Sequence, residues 1–535
     1  MKRKIITGLI LGASLFSGGI LLNSCNDALD IVQPGQVVDE EVFVSVANMK
    51  SYLNGSIYSN IEPTYGNYVT AVLTDEVRPG SGSGGQEFGL HRYFIDSNDN
   101  YTGRIWRWNY LVINRVNRLI EGAKSVVPKN AGEQTEYNKI LAEARALRAY
   151  SYLELEKYFS TDMKDANALG VILLDGLVED PLKVNLPRVS NKVIFDYIDA
   201  DLNYARTYLS FGSDAFYANK TFATAVAARA NLYRGNYTLA KKYAQEVIDN
   251  AGFQLTKSTP IEVPGFPAYT IGEAAWRVYF YNTTAFTTTA VSGGGLIPAG
   301  TAIPVSFNPY RQMWQDTNKG ESIFSLQRMV PGSGIAIGSF WNTNQSAVSG
   351  SPMWTWGINT YDLFNVNGDI RKWAYVDPTS YPAEDEYVID KFPGKVGSPT
   401  RNDVKVIRLS EMYLILAECE VEANNLGAAA TNVQAIRNAR FYANVPATPT
   451  YGNAQQAYAD IMKERRIELA LEGHRYVDLK RLAAKAGVTM DRNLEWDDTV
   501  ATTNLPNDSY KYTLPIPLAE MSANPGLKGQ QNPGY

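Results

Sequence analysis

The sequence predicts a mainly α-helical fold, in which helix pairs form a scaffold and a large, irregular, loop-rich layer lies on it. Helical periodicity dominates the parts of the chain before residue 255 and after residue 405. The stretch between them is rich in Pro, Gly, Ser, Thr and aromatic residues and has little periodicity. With 535 residues, of which 45% are hydrophobic and 20% charged, the chain can bury a large core.

The charge of the chain argues against a nucleic-acid partner. The formal net charge is −5, and it becomes more negative if a leader that carries Lys2, Arg3 and Lys4 is removed. No long basic block compensates, and phosphate backbones are bound by basic surfaces. We therefore expect no nucleic-acid binding.

The N-terminus has the pattern of an export signal that ends at a lipidated cysteine. Three basic residues precede "IITGLILGASLFSGGILL", and this apolar run ends at "LNSC". Cys25 then occupies the position of the cysteine in a bacterial lipoprotein box; an ordinary leader cysteine is the alternative. Two or three acyl chains hold a protein stably on a bilayer, and no later segment reaches the roughly 18 apolar residues of a membrane span. We predict a signal peptide at 1–24 and a lipidated tether at 25–41.

Helix pairs are predicted on both sides of the irregular region. "TFATAVAARANLYRGNYTLAKKYAQEVI" (Thr221 to Ile248) turns at Gly235, and its alanines let two antiparallel helices approach closely. "RLSEMYLILAECEVEANNLGAAATNVQAIRNAR" gives a second pair, on which Cys419 is expected to be buried and inert. Both are similar to tetratricopeptide units, with a plain αα-hairpin as the alternative.

These patterns divide the chain after the tether into three parts. Residues 42–255 form an N-terminal helical part, 256–405 a loop-rich aromatic region, and 406–535 a C-terminal helical part. We expect 42–535 to form one compact unit. Six of the nine tryptophans fall between 256 and 405, and loops of this length inside a compact protein are usually ordered and functional.

The segment "KERRIELALEGHRYVDLKRL" (463–482) contains ten charges in twenty residues and invites an active-site interpretation. Glu464, Glu468 and Glu472 are four apart, so they should lie on one stripe of a helix. A glycosidase needs two carboxylates on opposite sides of the scissile bond, which neighbours on one helix face cannot provide. His91 and His474 are too isolated for a metal site or a catalytic triad. We therefore predict an ion-paired scaffold helix, no metal or cofactor, and no enzymatic activity.

Aromatic and hydrogen-bonding residues in the loops are the candidates for ligand binding. Sugar rings stack their C–H faces on flat aromatic rings, and their hydroxyls need forked polar partners. The alternative is that these side chains fill the core of the loop layer, since tryptophan is mostly buried. The candidates are Arg78, Arg92, Tyr93, Trp341, Trp354 and Trp356.

Several segments together give the chain a family resemblance. They include "AEARALRAYSYLELEKYF", "LPRVSNKVIFDYIDADLNYA", the 463–482 segment and the terminal "LPIPLAEMSANPGLKGQQNPGY". With Cys25, these resemble the SusD/RagB group of surface lipoproteins of Bacteroidetes-type bacteria. The resemblance implies a SusD-like fold with four tetratricopeptide-like helix pairs, no catalysis, and a place on the surface of the outer membrane. It also implies a SusC-like, TonB-dependent barrel that takes over the bound oligosaccharide.

The resemblance leaves the ligand open. The loops contain no family motif, so the six candidates rest on composition and location. A peptide-binding, RagB-like importer component is the same-class alternative, although the pair Trp354 and Trp356 favours sugar. A surface glycosidase and a purely structural helical adaptor are the alternatives from other classes.

Overall fold

The computed structural model describes residues 42–80, 82–178, 184–259, 309–341, 352–377, 387–395, 397–398, 400–497 and 504–535, and the backbone of four short strands between 262 and 303. The predicted signal peptide, Cys25 and the tether lie outside these residues. Among the described helices, none combines the length and the apolar character that a membrane crossing requires.

Helices make up most of the described chain, which confirms the predicted fold class. They are α1 (Val46–Tyr52), α2 (Thr64–Leu73), α3 (Phe88–His91), α4 (Asn100–Ala123), α5 (Ala131–Phe159), α6 (Asn191–Tyr208), α7 (Lys220–Tyr233), α8 (Tyr237–Asn250), α9 (Pro309–Trp314), α10 (Ile358–Phe364), α11 (Ile370–Tyr375), α12 (Leu409–Glu422), α13 (Leu426–Arg440), α14 (Ala454–Glu468), α15 (Arg475–Ala486) and α16 (Leu518–Ala523).

The described strands form short antiparallel ladders of two strands each. They are β1 (Val77–Pro79), β2 (Leu169–Ile172), β3 (Arg188–Ser190), β4 (Glu262–Val263), β5 (Phe266–Thr270), β6 (Phe286–Thr287), β7 (Ala302–Ile303), β8 (Ser322–Leu326), β9 (Trp354–Trp356) and β10 (Val404–Arg408). The pairs are β1 with β9, β2 with β3, β4 with β5, β6 with β7, and β8 with β10. Two of these pairs, β1–β9 and β8–β10, join segments that are far apart in the chain.

Two helical hairpins lie where the sequence predicts them and pack on each other. The first is α7 with α8 and the second is α12 with α13, and α12 lies against α8. Small buried side chains line the contact between α7 and α8. They are Ala223 and Ala227 on α7 and Ala240 and Ala244 on α8. Gly235 has φ of +78° in the turn, a conformation that glycine adopts without steric cost. The long helix α5 packs between α4 and α6 and completes the scaffold.

The charged segment 463–482 lies inside this scaffold and forms ion pairs, as predicted. Glu468 is buried, and its carboxylate accepts hydrogen bonds from Arg408 and Arg440 at 2.7 Å each and from Arg371 at 3.2 Å. Burial alone would raise the pKa of Glu468, but the charges of Arg440 and Arg408 outweigh it and hold that pKa well below its usual range. The carboxylate therefore stays ionised, and both of its oxygens already accept hydrogen bonds.

One detail of that prediction is wrong. Helix α14 ends at Glu468, so Glu472 lies in the following turn and not on a helical stripe with Glu464 and Glu468. Leu471 and Gly473 have φ of +62° and +84°, which a helix cannot accommodate. Glu472 nevertheless joins the same network, because it accepts hydrogen bonds from Arg408 and Lys391 at 2.7 Å.

The isolated cysteine and the second histidine are both buried in the scaffold. Burial raises the pKa of the Cys419 thiol, which keeps it protonated and unreactive. Nδ1 of His474 lies 3.5 Å from the Arg465 guanidinium, and burial lowers the pKa of this imidazole well below its usual value. Both residues therefore have the structural character that the sequence predicts.

Candidate functional site

The six sequence-predicted residues lie in one neighbourhood, around the ladder of β1 and β9. Pro79 pairs with Trp354, and Val77 pairs with Trp356. The indole N–H of Trp354 donates to the Tyr68 hydroxyl at 2.9 Å, and the ring of Trp341 lies 5.7 Å from the Tyr68 ring. The ladder therefore joins two loops that are about 275 residues apart in the chain. We call this neighbourhood the loop face, defined by residues 77–98, 337–341, 352–361 and 490–497.

The three predicted tryptophans are buried within this face. Trp354 and Trp356 have no solvent-exposed area, and Trp341 is 2% exposed. The indole N–H of Trp356 donates to the Tyr375 carbonyl at 2.9 Å, and its ring stacks on the Tyr375 ring. No face of these rings is open for a sugar in this structure, so the geometry favours the packing role. Their contact with a ligand stays a prediction.

The other three predicted residues make contacts within the fold. Arg78 is nearly buried and donates from Nη1 to the Trp496 carbonyl at 2.7 Å. Tyr93 is buried, with its hydroxyl 3.1 Å from the sulfur of Met490 and its ring 4.7 Å from the Arg492 guanidinium. Arg92 is partly exposed and lies 4.8 Å from the centre of the Phe88 ring.

An exposed tryptophan that the sequence analysis did not select lies on the same face. Trp496 is 49% exposed, and it occupies a turn whose backbone is held at several points. The side chain of Asn493 accepts from the N–H groups of Glu495 and Trp496 at 3.1 Å each. The Asp497 carboxylate accepts from Asn493 N–H at 2.8 Å. The ring is therefore presented to solvent on a fixed backbone, which reduces the entropy lost when a ligand stacks on it.

Two further contacts fix this turn on the β1–β9 ladder. Arg78, from β1, binds the Trp496 carbonyl, and the Asp497 carboxylate accepts from the N–H of Ile358, just after β9, at 3.1 Å. The Arg78 contact joins residues 418 positions apart in the chain. The position of Trp496 is therefore a product of the tertiary fold.

Phe94 is a second exposed aromatic residue, with 77% of its area open to solvent. It follows Tyr93, whose φ is +64°, and its N–H donates to the Gly89 carbonyl at 2.8 Å. Arg492 links this segment to the Trp496 turn, because its guanidinium donates to the His91 carbonyl at 2.6 Å and to the Thr74 carbonyl at 2.8 Å. Phe94 and Trp496 thus belong to segments that one arginine connects.

A local pattern could have indicated Trp496. In "RNLEWDD" the tryptophan stands among asparagine and aspartate, which favour turns, shortly after the end of a predicted helix. A tryptophan in a polar turn has few apolar neighbours in sequence, so its exposure is a reasonable expectation. Phe94 has no comparable signal, since it stands in the middle of the short apolar run of "RYFID", a pattern typical of a buried segment.

Two carboxylates, Asp75 and Glu76, lie beneath this face, directly before β1. Asp75 is buried and accepts from both Nε and Nη2 of Arg475 at 2.7 Å. Burial would raise the pKa of Asp75, but Arg466 and Arg475 hold it well below its usual value. Burial raises the pKa of neighbouring Glu76 to about 7. Across the described residues, no group of three or more His, Cys, Asp or Glu side chains is arranged to hold a metal ion.

Comparisons with known proteins show what this helical scaffold and its loop face are similar to. Residues 349–535 match the model of the SusD family. SusD-like protein P2 of Formosa agariphila is 23% identical over the full length of both chains. A SusD-like protein of Bacteroides ovatus is 28% identical over 29% of each chain.

Solved structures agree over almost the whole chain. A SusD superfamily protein from Bacteroides thetaiotaomicron has a TM-score of 0.70 at 21% identity, with 92% of this chain and all of that chain covered. Surface glycan-binding protein A from Bacteroides fluxus has a TM-score of 0.64 at 19% identity, with 91% and 99% covered. Residues 349–535 carry the match to the SusD family, and the chain as a whole has the fold of the SusD superfamily structures.

Proposed function

We propose that this protein is a cell-surface glycan-binding lipoprotein that captures oligosaccharides and delivers them to a SusC-like, TonB-dependent outer-membrane transporter. The observation that carries the proposal is the half-exposed ring of Trp496 on the fixed turn 493–497 of the loop face. Similar structures include surface glycan-binding proteins A from Bacteroides fluxus and Bacteroides uniformis, which supports sugar as the ligand class.

The loop face also contains exposed backbone polar groups. The glycine-rich loop after β1 is anchored at its start, where Gly80 and Gly82 donate to the carbonyls of Met353 and Pro352 at 2.8 and 3.0 Å. Beyond that point Gly84 and Gly85 are exposed, so their backbone amides and carbonyls are open to a ligand. An aromatic platform together with accessible hydrogen-bonding groups suits a sugar, which is apolar on its ring face and polar at its rim.

Binding without cleavage is the second part of the proposal. Hydrolysis of a glycosidic bond needs two carboxyl groups about 5 to 9.5 Å apart that both reach the substrate. Both oxygens of Asp497 already accept backbone N–H groups, Asp75 is paired with Arg475, and Glu87 accepts from the Tyr101 hydroxyl at 2.9 Å. These carboxylates already form hydrogen bonds or ion pairs within the fold, which supports binding of the glycan without its cleavage.

Membrane attachment and delivery follow from the N-terminal pattern and the family. We propose that Cys25 carries the lipid anchor, that the mature chain is surface-exposed on the outer membrane, and that the barrel lies beneath it. Mass spectrometry of the membrane-extracted protein tests the anchor. A diacylated or triacylated N-terminal peptide beginning at Cys25 is the expected result, and a free Cys25 thiol would contradict it.

The ligand class is tested by calorimetric titration of a soluble form beginning at Asn26. The panel consists of plant, host and microbial oligosaccharides and mixed peptides, and each mixture is checked afterwards for cleavage. Saturable binding of one glycan class without cleavage is the expected result. Cleavage would overturn the non-catalytic assignment. Binding of a peptide, together with no measurable binding of any glycan, would replace this proposal with a peptide-binding, RagB-like importer component.

The six residues selected from the sequence remain ligand candidates under the proposal, with different expected effects. Arg78 is expected to act through the turn that carries Trp496. Arg92 is partly exposed, and we propose that it contacts the ligand directly. Replacement of both Trp354 and Trp356 by Ala tests stacking by the predicted pair: unchanged affinity in a folded double variant would remove them from the site.

A further inference from the structure

A cavity lies on the scaffold, formed by segments outside the loop face. It has a volume of about 470 Å³, which is within the range of small-molecule sites. Its walls come from the loop after α5, from α7, from α15 and from the C-terminal segment. The lining residues that the argument uses are Asp162, Tyr233, Lys480, Asn507, Asp508 and Thr513.

A lysine without a carboxylate partner lies in this wall. Lys480 Nζ donates to the Ser160 carbonyl and, at 2.9 Å, to the Thr513 hydroxyl. Within the described part of the chain, no carboxylate oxygen lies within 4.0 Å of it, whereas its neighbour Arg481 is paired with both Glu418 and Asp478. An ammonium group that is largely removed from water normally has an anionic partner, so the half-buried Lys480 has capacity for an anion from solution.

Two further polar groups of the wall lack partners. Tyr233 is 1% exposed, and its hydroxyl has no hydrogen-bond partner among the described residues. The side-chain oxygen of Asn507 is likewise unpaired there, while its amide nitrogen donates to the Val488 carbonyl at 2.8 Å. Unpaired buried polar atoms destabilise a fold, and a bound ligand that pairs with them would remove that cost.

The combination of groups specifies the chemistry of the ligand. Lys480 requires an anion, the Tyr233 hydroxyl can donate to an oxygen, and Asn507 Oδ1 requires a donor. Asp162 and Asp508 are exposed at the edge and also accept hydrogen bonds. A simple carboxylate satisfies the first two groups only, whereas a ligand with one carboxylate and several hydroxyls satisfies all of them.

We propose that this cavity is a second ligand site that binds a sugar acid such as a hexuronate, with its carboxylate on Lys480 and its hydroxyls on Asn507 and the acidic rim. This site does not depend on the loop face or on the function assigned to it. Lys480 and Tyr233 hold the carboxylate end of the ligand.

Proton uptake accompanies binding at this site. Burial lowers the pKa of Lys480 to about 7, so part of this population is neutral in the free protein at pH 7.5. The acidic groups that act on Lys480 are Asp162 and Glu156, and burial raises the pKa of Glu156 to about 8. The same cavity wall also carries the charged groups Lys164, Arg481 and Asp508. A bound carboxylate favours the charged ammonium and raises its pKa again, so each binding event takes up a fraction of a proton from the buffer.

The test is calorimetric titration of the purified protein with galacturonate and glucuronate, against galactose, glucose, acetate and a neutral dipeptide. We expect saturable binding of a uronate at least tenfold tighter than that of the neutral sugars and acetate. Lys480→Met should weaken this binding tenfold or more. Lys485→Met, five residues further along α15 and not among the cavity-lining residues, should leave it unchanged. Trp496→Ala should also leave it unchanged.

Tyr233→Phe keeps the test decisive if Lys480→Met fails to fold. Removing a hydroxyl that has no partner in the free protein should leave the thermal midpoint unchanged or raised, but should weaken uronate binding about threefold to tenfold. Titrations in two buffers with different ionisation enthalpies should show proton uptake at pH 7.5 that Lys480→Met abolishes. Absence of uronate binding, equal affinity for acetate, preference for the dipeptide, or wild-type affinity in Tyr233→Phe would overturn the proposal.

Discussion

The charged core around Glu468 and the loop face around Trp496 both concentrate groups that could bind a ligand, yet they differ in how those groups are occupied. In the core, Glu468 receives three arginines, and Glu472 is shared between Arg408 and Lys391. On the loop face, Arg78 and Asp497 form the hydrogen bonds that fix the 493–497 turn, and the Trp496 ring remains half exposed. The carboxylates of the core are fully paired with residues of the chain, whereas the Trp496 ring of the loop face is open to solvent.

This difference shows that the partners of a residue, more than its type, separate scaffold from site. The densest run of charges in the sequence has no capacity left for a ligand. The same distinction separates the tryptophans, since Trp354 and Trp356 pack inside the loop layer while Trp496 is presented at its surface. The following changes test that distinction, from the largest expected effect to the smallest.

Removing the charge of Glu468 should have the largest effect on stability. Glu468→Gln leaves Arg408 and Arg440 buried without their shared carboxylate, and we expect the free energy of unfolding to fall by about 3 to 5 kcal/mol. Urea denaturation of the purified variant measures it. Glu121→Gln, which breaks the exposed pair with Lys124, is the matched control and should cost about 0.5 kcal/mol or less. Equal effects of the two changes would contradict the account of a saturated core.

The buried tryptophan should behave as a packing residue. Trp354→Ala removes a ring with no exposed area and leaves the Tyr68 hydroxyl without its indole donor, so we expect a loss of about 3 to 5 kcal/mol in unfolding free energy. Trp496→Ala, the matched exposed change, should cost about 0.5 kcal/mol or less. Thermal and urea unfolding of both variants measure the difference, and a Trp354→Ala variant as stable as the wild type would show that this ring does not support the loop layer.

Glu156 should produce a pH-dependent effect. Burial raises its pKa from 4.5 to about 8, so the folded state keeps a proton between these values that the unfolded chain has lost. Its contribution to stability is therefore present below pH 4.5 and is lost as the pH rises through 8. Glu156→Gln, which mimics the protonated form, should match the wild type near pH 4.5 and exceed it at pH 9 by up to about 4 kcal/mol.

Urea denaturation at both pH values measures this difference, with Glu121→Gln as the control in which no pH-dependent gain is expected. A Glu156→Gln variant that remains parallel to the wild type from pH 4.5 to 9 would show that this carboxyl is ionised when folded. Both proteins share every other titrating group, so the difference between them reports Glu156 together with the change that its removal causes in the pKa of the facing Lys480.

Local pattern predicted much of the scaffold. The alanines and Gly235 of the 221–248 segment specify a close helical pair, and the i,i+4 spacing of Glu464 and Glu468 specifies one helix face. The position of Glu472 was missed because the helix ends four residues early, where Leu471 and Gly473 take positive φ. Spacing alone does not reveal such an end when a leucine occupies the left-handed position.

The six residues selected from the sequence lie together around the β1–β9 ladder, and their contact with a ligand stays a prediction. Which rings are buried depends on the β1–β9 pairing, and the Trp496 turn depends on Arg78, 418 residues away. A single sequence does not reveal contacts between such distant residues. It therefore could not predict which aromatic side chains of the loop layer are buried and which are exposed.

The most direct test of the account is the affinity of Trp496→Ala for the glycan that the titration panel identifies. We predict a loss of about tenfold or more, since a single exposed aromatic anchor often carries much of the binding energy. Tyr208→Ala, which removes a similarly exposed ring at the end of α6, is the control and should bind as the wild type does. Wild-type affinity in a folded Trp496→Ala variant would contradict the central claim that the loop face captures its ligand through this ring.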